Sequence, residues 1–436
     1  MFRGDDAQGV PRAGPRSGRT ESDALNMVAA SRFWTTALSL RRFSGAAVAG
    51  VVAFVVILLS SHFRSSQQNN YVRVAYAWLH GHMWIDWPGR WMDAILYHGH
   101  YYGIDGPVPA LFMLPPVAIW GNNANQTTVA IIFAAVSTAL AWLLAERLGV
   151  RSLSTNVFLA LFFVAGTDMW WCAQLGDVWF LAHLVAVAFI LGALLELTGR
   201  GRGVVVGICF VLACGARFPE VAALPLFVWG LWTGAFRGAT LTREESIARL
   251  RSFGIVCACA AVAFIGYDEL MWGTFYDIGH TLYYHADGWG SPTGSPFQLS
   301  YLPYQIYSFF FRAPIFVEWL QHAQFPYVKP DPTGMALTFT SPALVLTFFA
   351  KTPANVVRAL WITTGLVALP EFLYYLNGWV QFGMRHALDF LPYLFALMAL
   401  GVRERLPRWG IALIIYSALV GAWGVWWWNA FARTAN

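Results

Sequence analysis

The chain has 436 residues, of which 58% are apolar, 17% are aromatic and only 12% are charged. A soluble domain carries roughly 25% charged residues, so this composition excludes a disordered chain, a nucleic-acid-binding domain and an ordinary soluble enzyme. The remaining class is a protein that crosses a membrane many times, and the distribution of the net charge of +5 along the chain indicates its orientation.

The N-terminal part of the sequence predicts a tail followed by a membrane anchor. Residues 1–42 are rich in Gly, Pro, Ser and Arg without an apolar period, which predicts a disordered cytoplasmic tail. The 19 uncharged residues at 43–61 are enough to cross a hydrocarbon layer of roughly 30 Å. The run is longer than the apolar core of a signal peptide, so we interpret it as an uncleaved anchor. We therefore expect residues 43–436 to form an integral membrane domain.

The rest of the chain alternates apolar runs with polar connections. Ten further runs lie at about 127–145, 153–170, 178–198, 203–216, 220–236, 253–272, 336–350, 355–376, 387–402 and 409–428. Segment 107–120 is ambiguous because it has 14 residues and four prolines. If it does not cross, 20 cations lie on the cytoplasmic side and 8 outside, whereas a crossing leaves 12 inside and 16 outside. The positive-inside rule favours the first arrangement, with the C-terminus outside.

The predicted fold is therefore an all-α polytopic membrane protein, a bundle of about 11 transmembrane helices. Two large outer loops, at about 62–126 and 273–335, are expected to carry interfacial helices, one of them over 107–120 and another near 301–315. Because most histidines and carboxylates fall in outer segments, we expect any chemistry to face away from the cytoplasm.

The first outer loop contains the residues that suggest a reaction. Asp86, Asp93 and Asp105 alternate with Trp and Tyr residues. A carboxylate can accept a hydroxyl proton, and aromatic rings pack against the apolar face of a sugar, so this pattern is typical of a sugar site. The alternative is a solvated interfacial loop whose aromatic residues only mark the headgroup level.

Four stretches resemble a known family when they are taken in order. They read YYGIDGPVPALFMLPPVAIWG (101–121), GTDMWWCAQLGD (166–177), GARFPEVAALPL (215–226) and QFGMRHALDFLPYLFAL (381–397). Together they resemble the membrane glycosyltransferases of the C fold, and in particular the family 39 group of protein mannosyltransferases and lipid A aminoarabinose transferases. The resemblance continues at intervals over most of residues 60–405, and in that family the proline-rich helix lies outside the membrane.

The resemblance implies inverting transfer of a sugar from a polyprenyl-phosphate-sugar donor to a glycan, lipid or protein acceptor, at the outer face of the plasma membrane. It implies a carboxylate base, Asp93 or Asp86, and two arginines on the donor phosphate, Arg385 and Arg217. The implied substrate-binding residues are Asp105, Tyr101, Tyr102, Asp177 and His386. The sequence departs from the family where His62-Phe63-Arg64, rather than an acidic pair, follows the first span.

Several alternatives remain open at this point. One alternative is that the arginines only anchor the protein at the interface or pair with Glu220 and Asp389. The first outer loop also contains two His-x-His pairs, His80 with His82 and His98 with His100. These histidines are candidates for a divalent metal site, which the proposed chemistry does not require. The alternative is that they form hydrogen bonds with the loop and the substrate. A transporter or flippase for a lipid-linked or small polar substrate is the second functional class, and a membrane scaffold is the third.

Overall fold

The computed structural model of the chain describes residues 44–86, 93–286, 295–316, 327–378 and 380–431. The predicted tail over 1–42 lies outside these residues. Within them the chain is helical with very little sheet, which confirms the predicted all-α polytopic class.

The helices follow one another along the chain with short connections. In order they are α1 (Ser44–Ser61), α2 (Asn70–Leu79), α3 (Val108–Trp120), α4 (Gln126–Arg147), α5 (Leu153–Ala165), α6 (Met169–Leu175), α7 (Val178–Thr198), α8 (Gly203–Ala216), α9 (Leu224–Thr233), α10 (Arg243–Trp272), α11 (Gly279–Ala286), α12 (Leu302–Phe310), α13 (Leu337–Thr340), α14 (Ala354–Leu373), α15 (Ala387–Val402) and α16 (Arg408–Ala430). Short 3-10 helices lie at Gly121–Asn123, Phe218–Ala223, Ala235–Arg237, Leu299–Tyr301 and Pro342–Phe349.

All eleven predicted apolar runs are helical, but fewer of them are long enough to span a membrane alone. Among the described residues, six helices are long and apolar enough to cross a membrane, namely α1, α4, α7, α10, α14 and α16. Helices α5 and α6, which are bent by 49° at a short break, count as a seventh candidate if they form one span. The prediction of about 11 spans exceeds this number because several runs are short or interrupted. Pro219 and Pro342 each fall in a 3-10 segment, since proline lacks the N–H that continues an α-helix.

The centre of the helical bundle is formed by α7 and α15. Helix α7 packs against α4, α8 and α15, and every residue of α15 except Gly401 is buried. Both helices are apolar around their whole circumference, as expected for helices without a solvent face. Two polar residues, His183 of α7 and Asp389 of α15, nevertheless lie fully buried on them.

The first large loop folds into α2, a β-hairpin and α3. Strands β1 (Ala94–Tyr97) and β2 (His100–Gly103) are antiparallel and pair Tyr97 with His100. The two turn residues, His98 and Gly99, have φ of 48° and 84°, as a tight two-residue hairpin turn requires. Helix α3 has 13 residues, so at 1.5 Å per residue it spans only about 20 Å. This length agrees with the predicted non-crossing position, and the side of the membrane stays a prediction.

The second large loop contains α11, α12 and a two-residue pairing of β3 (Ile315–Phe316) with β4 (Val328–Lys329). Helix α12 lies within the segment where an interfacial helix is predicted. The backbone N–H of Gln298 donates to Leu373 O at 2.9 Å, and that of Tyr375 donates to Pro296 O at 3.0 Å. These bonds tie the second loop to the C-terminal end of α14.

Candidate active site

Asp93 lies immediately before β1 and is held by side chains from two distant helices. Its Oδ1 accepts a hydrogen bond from the Tyr283 hydroxyl of α11 at 2.9 Å. Its Oδ2 accepts a short hydrogen bond from Trp179 Nε1 in the first turn of α7. The carboxylate is therefore oriented by groups that are 86 and 190 residues away along the chain.

Asp105 is joined to Asp93 through one buried amide. Asn70 Nδ2 donates to Asp105 Oδ2 at 3.2 Å and to the backbone oxygen of Asp93 at 3.4 Å. Burial, followed by the charge of Asp93, raises the pKa of Asp105 to about 7. The structure thus brings together two of the three acids predicted from the first loop, and one of them exchanges its proton near neutral pH.

The other residues predicted from this loop occupy different positions. Asp86 is exposed. Tyr102 is buried and its ring centroid lies 5.3 Å from that of Trp272, so it belongs to a small aromatic cluster. Tyr101 is half-buried, and its backbone oxygen accepts a hydrogen bond from Ile85 N at 2.8 Å.

Asp177 is the N-cap residue of α7. Its Oδ1 accepts a hydrogen bond from Ser66 Oγ at 2.5 Å, and burial raises the pKa of Asp177 to about 6. Ser66 N donates in turn to Thr127 Oγ1 at 3.0 Å. Asp177 therefore connects the end of the first span, through the start of α4, to the first turn of α7 that carries Trp179.

Arg217 forms ion pairs with two carboxylates. Its Nη2 lies 2.7 Å from Asp389 Oδ2 and 3.0 Å from Glu371 Oε1, and its Nε donates to both oxygens of Asp389. Glu220, a second partner considered from the sequence, instead accepts a hydrogen bond from the Tyr393 hydroxyl at 2.8 Å. Of the two predicted phosphate-binding arginines, this one already has its charge compensated.

Two histidines extend the Arg217 cluster. His183 Nδ1 lies 2.6 Å from Asp389 Oδ1, and His386 Nδ1 lies 2.7 Å from Glu371 Oε2. The two imidazole rings face each other edge-on with centroids 5.6 Å apart. Each ring is therefore placed by its own carboxylate, on α15 and α14 respectively.

Arg385 differs from Arg217 in its surroundings. It is 7% exposed, and its Nε and Nη1 make no hydrogen bond to any described residue. Its guanidinium lies 5.4 Å from the ring centroid of Trp179 and 5.6 Å from that of Phe180. Trp179 thus contacts Asp93 through its N–H and Arg385 through its face, which places the candidate base and an unpaired cation at one indole.

The four histidines of the His-x-His pairs do not converge. His82 and His100 both pack on Trp84, each with a centroid distance of 4.5 Å, and His98 stacks on Tyr97. His80 Nδ1 lies 2.8 Å from the backbone oxygen of Tyr76. Across the part of the chain that the structure describes, no three His, Cys, Asp or Glu side chains are grouped to hold a metal ion.

Sequence reasoning missed three residues of this arrangement. Glu371 is a lone carboxylate late in an apolar run, and an ionisable residue within a span is a functional candidate by default, so this signal was available. Trp179 is one of 22 tryptophans and Asn70 is an ordinary polar residue, so nothing local distinguishes them.

Comparison with known proteins gives two structural similarities. No family model and no curated protein matches the chain. The archaeal oligosaccharyltransferase AglB from Archaeoglobus fulgidus, in complex with an inhibitory peptide and a dolichol-phosphate, is 13% identical, with a TM-score of 0.46 over 90% of this chain and 55% of its own. The apo form of the Archaeoglobus fulgidus oligosaccharyltransferase is 14% identical, with a TM-score of 0.46 over 89% and 55%. The chain therefore spans about half the length of these proteins.

Proposed function

We propose that the chain is an inverting membrane glycosyltransferase that moves a sugar from a polyprenyl-phosphate-sugar donor to an acceptor hydroxyl at the outer face of the plasma membrane. One observation carries the proposal. A carboxylate, Asp93, and a buried arginine that has no carboxylate partner among the described residues, Arg385, contact the N–H and the face of the same indole, Trp179. A base for the acceptor and a cation for a departing phosphate are the two groups that such a transfer requires.

The reaction divides between these two groups. The acceptor oxygen forms a bond to the anomeric carbon, and its proton passes to Asp93, because an unassisted hydroxyl is a poor nucleophile at neutral pH. The bond from the anomeric carbon to the phosphate oxygen breaks, and its electron pair stays on the lipid phosphate. Arg385 stabilises that developing charge with a planar set of donors that can hold two phosphate oxygens. Asp93 is the preferred base over Asp86, since only Asp93 is oriented by neighbouring donors.

Arg217 has a supporting role in this scheme. Its two carboxylate partners, Asp389 and Glu371, already compensate its charge. It is a second candidate ligand of the phosphate, but only through the guanidinium N–H groups that do not contact these carboxylates. Its main contribution is to hold α14 and α15 together beside the site. Asp105, Asp177 and His386 support the same region, and the acceptor is a glycan, a lipid or a protein.

A transporter or flippase for a lipid-linked or small polar substrate is the second candidate. Fully buried His183, Glu220 and Asp389 within apolar helices favour it, since ionisable groups inside spans often mark a substrate or proton pathway. The two functions differ in product: an enzyme forms a new glycosidic bond, whereas a transporter changes only the side on which the lipid is found.

The test begins with mass spectrometry of cell-envelope glycans with and without the protein, which identifies the transferred sugar. The matched variants Asp93→Asn and Asp86→Asn are then assayed for transfer. We expect Asp93→Asn to lower the rate by about 10²- to 10⁴-fold while donor binding persists, because the amide keeps the size and removes the proton acceptor. We expect Asp86→Asn to keep activity.

A third variant, Trp179→Phe, separates the two contacts of the indole. It keeps an aromatic face for Arg385 and removes the N–H donor to Asp93, so the rate should fall more than the donor affinity. Loss of activity in Asp86→Asn alone would move the base to that residue. Full activity in both Asp variants would refute a catalytic role for this loop.

A further inference from the structure

Arg385 and three other buried side chains carry polar atoms without a hydrogen-bond partner among the described residues. The atoms are Arg385 Nε and Nη1, both ring nitrogens of His386, His183 Nε2, and both side-chain polar atoms of Asn377. Arg385, His386, His183 and Asn377 are 7%, 6%, 0% and 1% exposed. An unpaired buried polar group costs about 1–3 kcal/mol, so a group of them requires an explanation.

Arg385, His386 and His183 lie close together, and Asn377 lies in the same connection as Arg385 and His386. Asn377, Arg385 and His386 all lie in the connection between α14 and α15. The backbone at Gly378 approaches so closely that a Cβ there would lie 2.5 Å from Arg385 Nη2. His183 lies one helical turn beyond Trp179 and Phe180, whose rings contact Arg385, and its own ring is 5.6 Å from that of His386.

A carboxylate lies beside Nδ1 of each imidazole. His183 Nδ1 is hydrogen-bonded to Asp389 Oδ1 at 2.6 Å, whereas His386 Nδ1 lies 2.7 Å from Glu371 Oε2 without the geometry of a hydrogen bond. A carboxylate at Nδ1 favours the tautomer with the proton on Nδ1 and leaves Nε2 as the atom available to a ligand. The unpaired Nε2 atoms are therefore the ones that can change their protonation state when an anion enters.

The charges of the cluster predict such a change. Asp389 and Glu371 contribute two negative charges, and Arg217 and Arg385 contribute two positive charges. These four groups balance when Glu220, whose carboxyl group is hydrogen-bonded to Tyr393 and not to the rings, is left aside. A phosphodiester adds one negative charge in a buried site, where uncompensated charge is costly. One proton on the imidazole pair restores the balance.

We propose that His183 and His386 are further ligands of the donor phosphate, and that the anion binds together with one proton taken from solvent onto this imidazole pair. The inference rests on the proposed function and assigns the phosphate three side chains, with Asn377 as a neutral neighbour. After the sugar leaves, the phosphate carries a second negative charge. The imidazolium then donates a hydrogen bond to it, which stabilises the product side of the transfer.

The titratable or charged groups that surround the two rings come from every element packed around them. Helix α14 and the residue after it contribute Glu371 and Tyr374, and α15 contributes Asp389 and Tyr393. The turn after α8 contributes Arg217 and Glu220, and the connection before α15 contributes Arg385. Of these, Asp389 and Glu371 contact the imidazole nitrogens directly, so the exchange of a proton falls on the pair of rings.

The experiment measures binding of farnesyl methyl phosphate to the full-length protein in nanodiscs by titration calorimetry. This phosphodiester keeps a single charge between pH 6 and 8.5, so its own ionisation does not enter. Titrations in two buffers of different ionisation enthalpy give the number of protons taken up. We expect uptake of about one proton and an affinity that falls by up to about tenfold per pH unit in the upper part of that range.

The variants His183→Asn and His386→Asn keep an amide N–H near the position of Nδ1, beside Asp389 and Glu371 respectively, and remove Nε2. We expect each to bind about tenfold more weakly or worse and to lose most of the proton uptake. His98→Asn, in the exposed hairpin turn, is the matched control and should behave as the wild type. Melting temperatures of all variants report whether the change disturbs the fold.

The outcomes separate this inference from the proposed function. Absence of proton uptake in the wild-type protein overturns the inference without any variant. Wild-type affinity and proton uptake in both buried histidine variants, combined with weak binding by Arg385→Ala, shows that the histidines are structural and leaves the proposed function standing. Wild-type binding by Arg385→Ala refutes the phosphate site of the proposed function itself.

Discussion

Replacing either arginine with methionine should have opposite effects on stability. Arg385 is a buried cation with two unpaired donors, each of which costs about 1–3 kcal/mol. Its contacts with Trp179 and Phe180 return only about 0.5–2 kcal/mol. Because methionine fills a similar length without a charge, we expect Arg385→Met to stabilise the ligand-free protein by about 1–2 kcal/mol.

Arg217→Met provides the contrast. Removing this cation leaves Asp389 and Glu371 buried without their partner, which costs about 3–5 kcal/mol. The gain in Arg385→Met should be accompanied by a loss of lipid-phosphate affinity of about 10- to 150-fold, which corresponds to one charge-assisted contact of about 1.5–3 kcal/mol. A site that is destabilising when empty and effective when occupied is expected of a binding residue.

The assay is thermal unfolding in detergent at one fixed scan rate, because membrane proteins often unfold irreversibly, together with calorimetric binding of farnesyl methyl phosphate. The melting temperature should rise in Arg385→Met and fall in Arg217→Met. If both variants lose the same stability, Arg385 is a structural cation and the reasoning from its unpaired nitrogens is wrong. If Arg385→Met keeps full affinity, the phosphate contact does not exist.

Three further predictions test other parts of the structure. Burial and a neighbouring carboxylate raise the pKa of Asp105 to about 7, so the folded protein loses stability as pH rises through that value. Asp105→Asn avoids this loss. Its melting temperature should exceed that of the wild type most at pH 8, and the difference should narrow toward pH 5. Gly378→Ala should weaken phosphodiester binding by about tenfold or more, because the added Cβ would lie 2.5 Å from Arg385 Nη2. Gly81→Ala is the control, since Gly81 has a similar positive φ and open surroundings, and it should bind as the wild type does. A reporter fused after Arg151 should be cytoplasmic, and an external signal would mean that α3 spans the membrane.

The sequence by itself determined the helical architecture. Each predicted apolar run is a helix because backbone groups in a membrane must be hydrogen-bonded within their own segment, so length and hydropathy are sufficient. Fewer helices are long enough to span a membrane alone than there are apolar runs, because some runs, such as that containing Pro342, form short or interrupted helices. The acidic and aromatic residues of the first outer loop indicated the segment with Asp93, and the family resemblance indicated the segment with Arg385.

Only the tertiary structure decided what each of these residues contacts. The sequence treated Arg217 and Arg385 alike, and they differ because Arg217 meets Asp389, 172 residues away, whereas Arg385 meets two aromatic rings. The indole of Trp179 joins the candidate base to the candidate phosphate ligand by a contact across 86 residues. Electrostatic and hydrogen-bond energies depend on distances between atoms that the packing of helices sets, and composition and spacing along one chain carry no information about those distances.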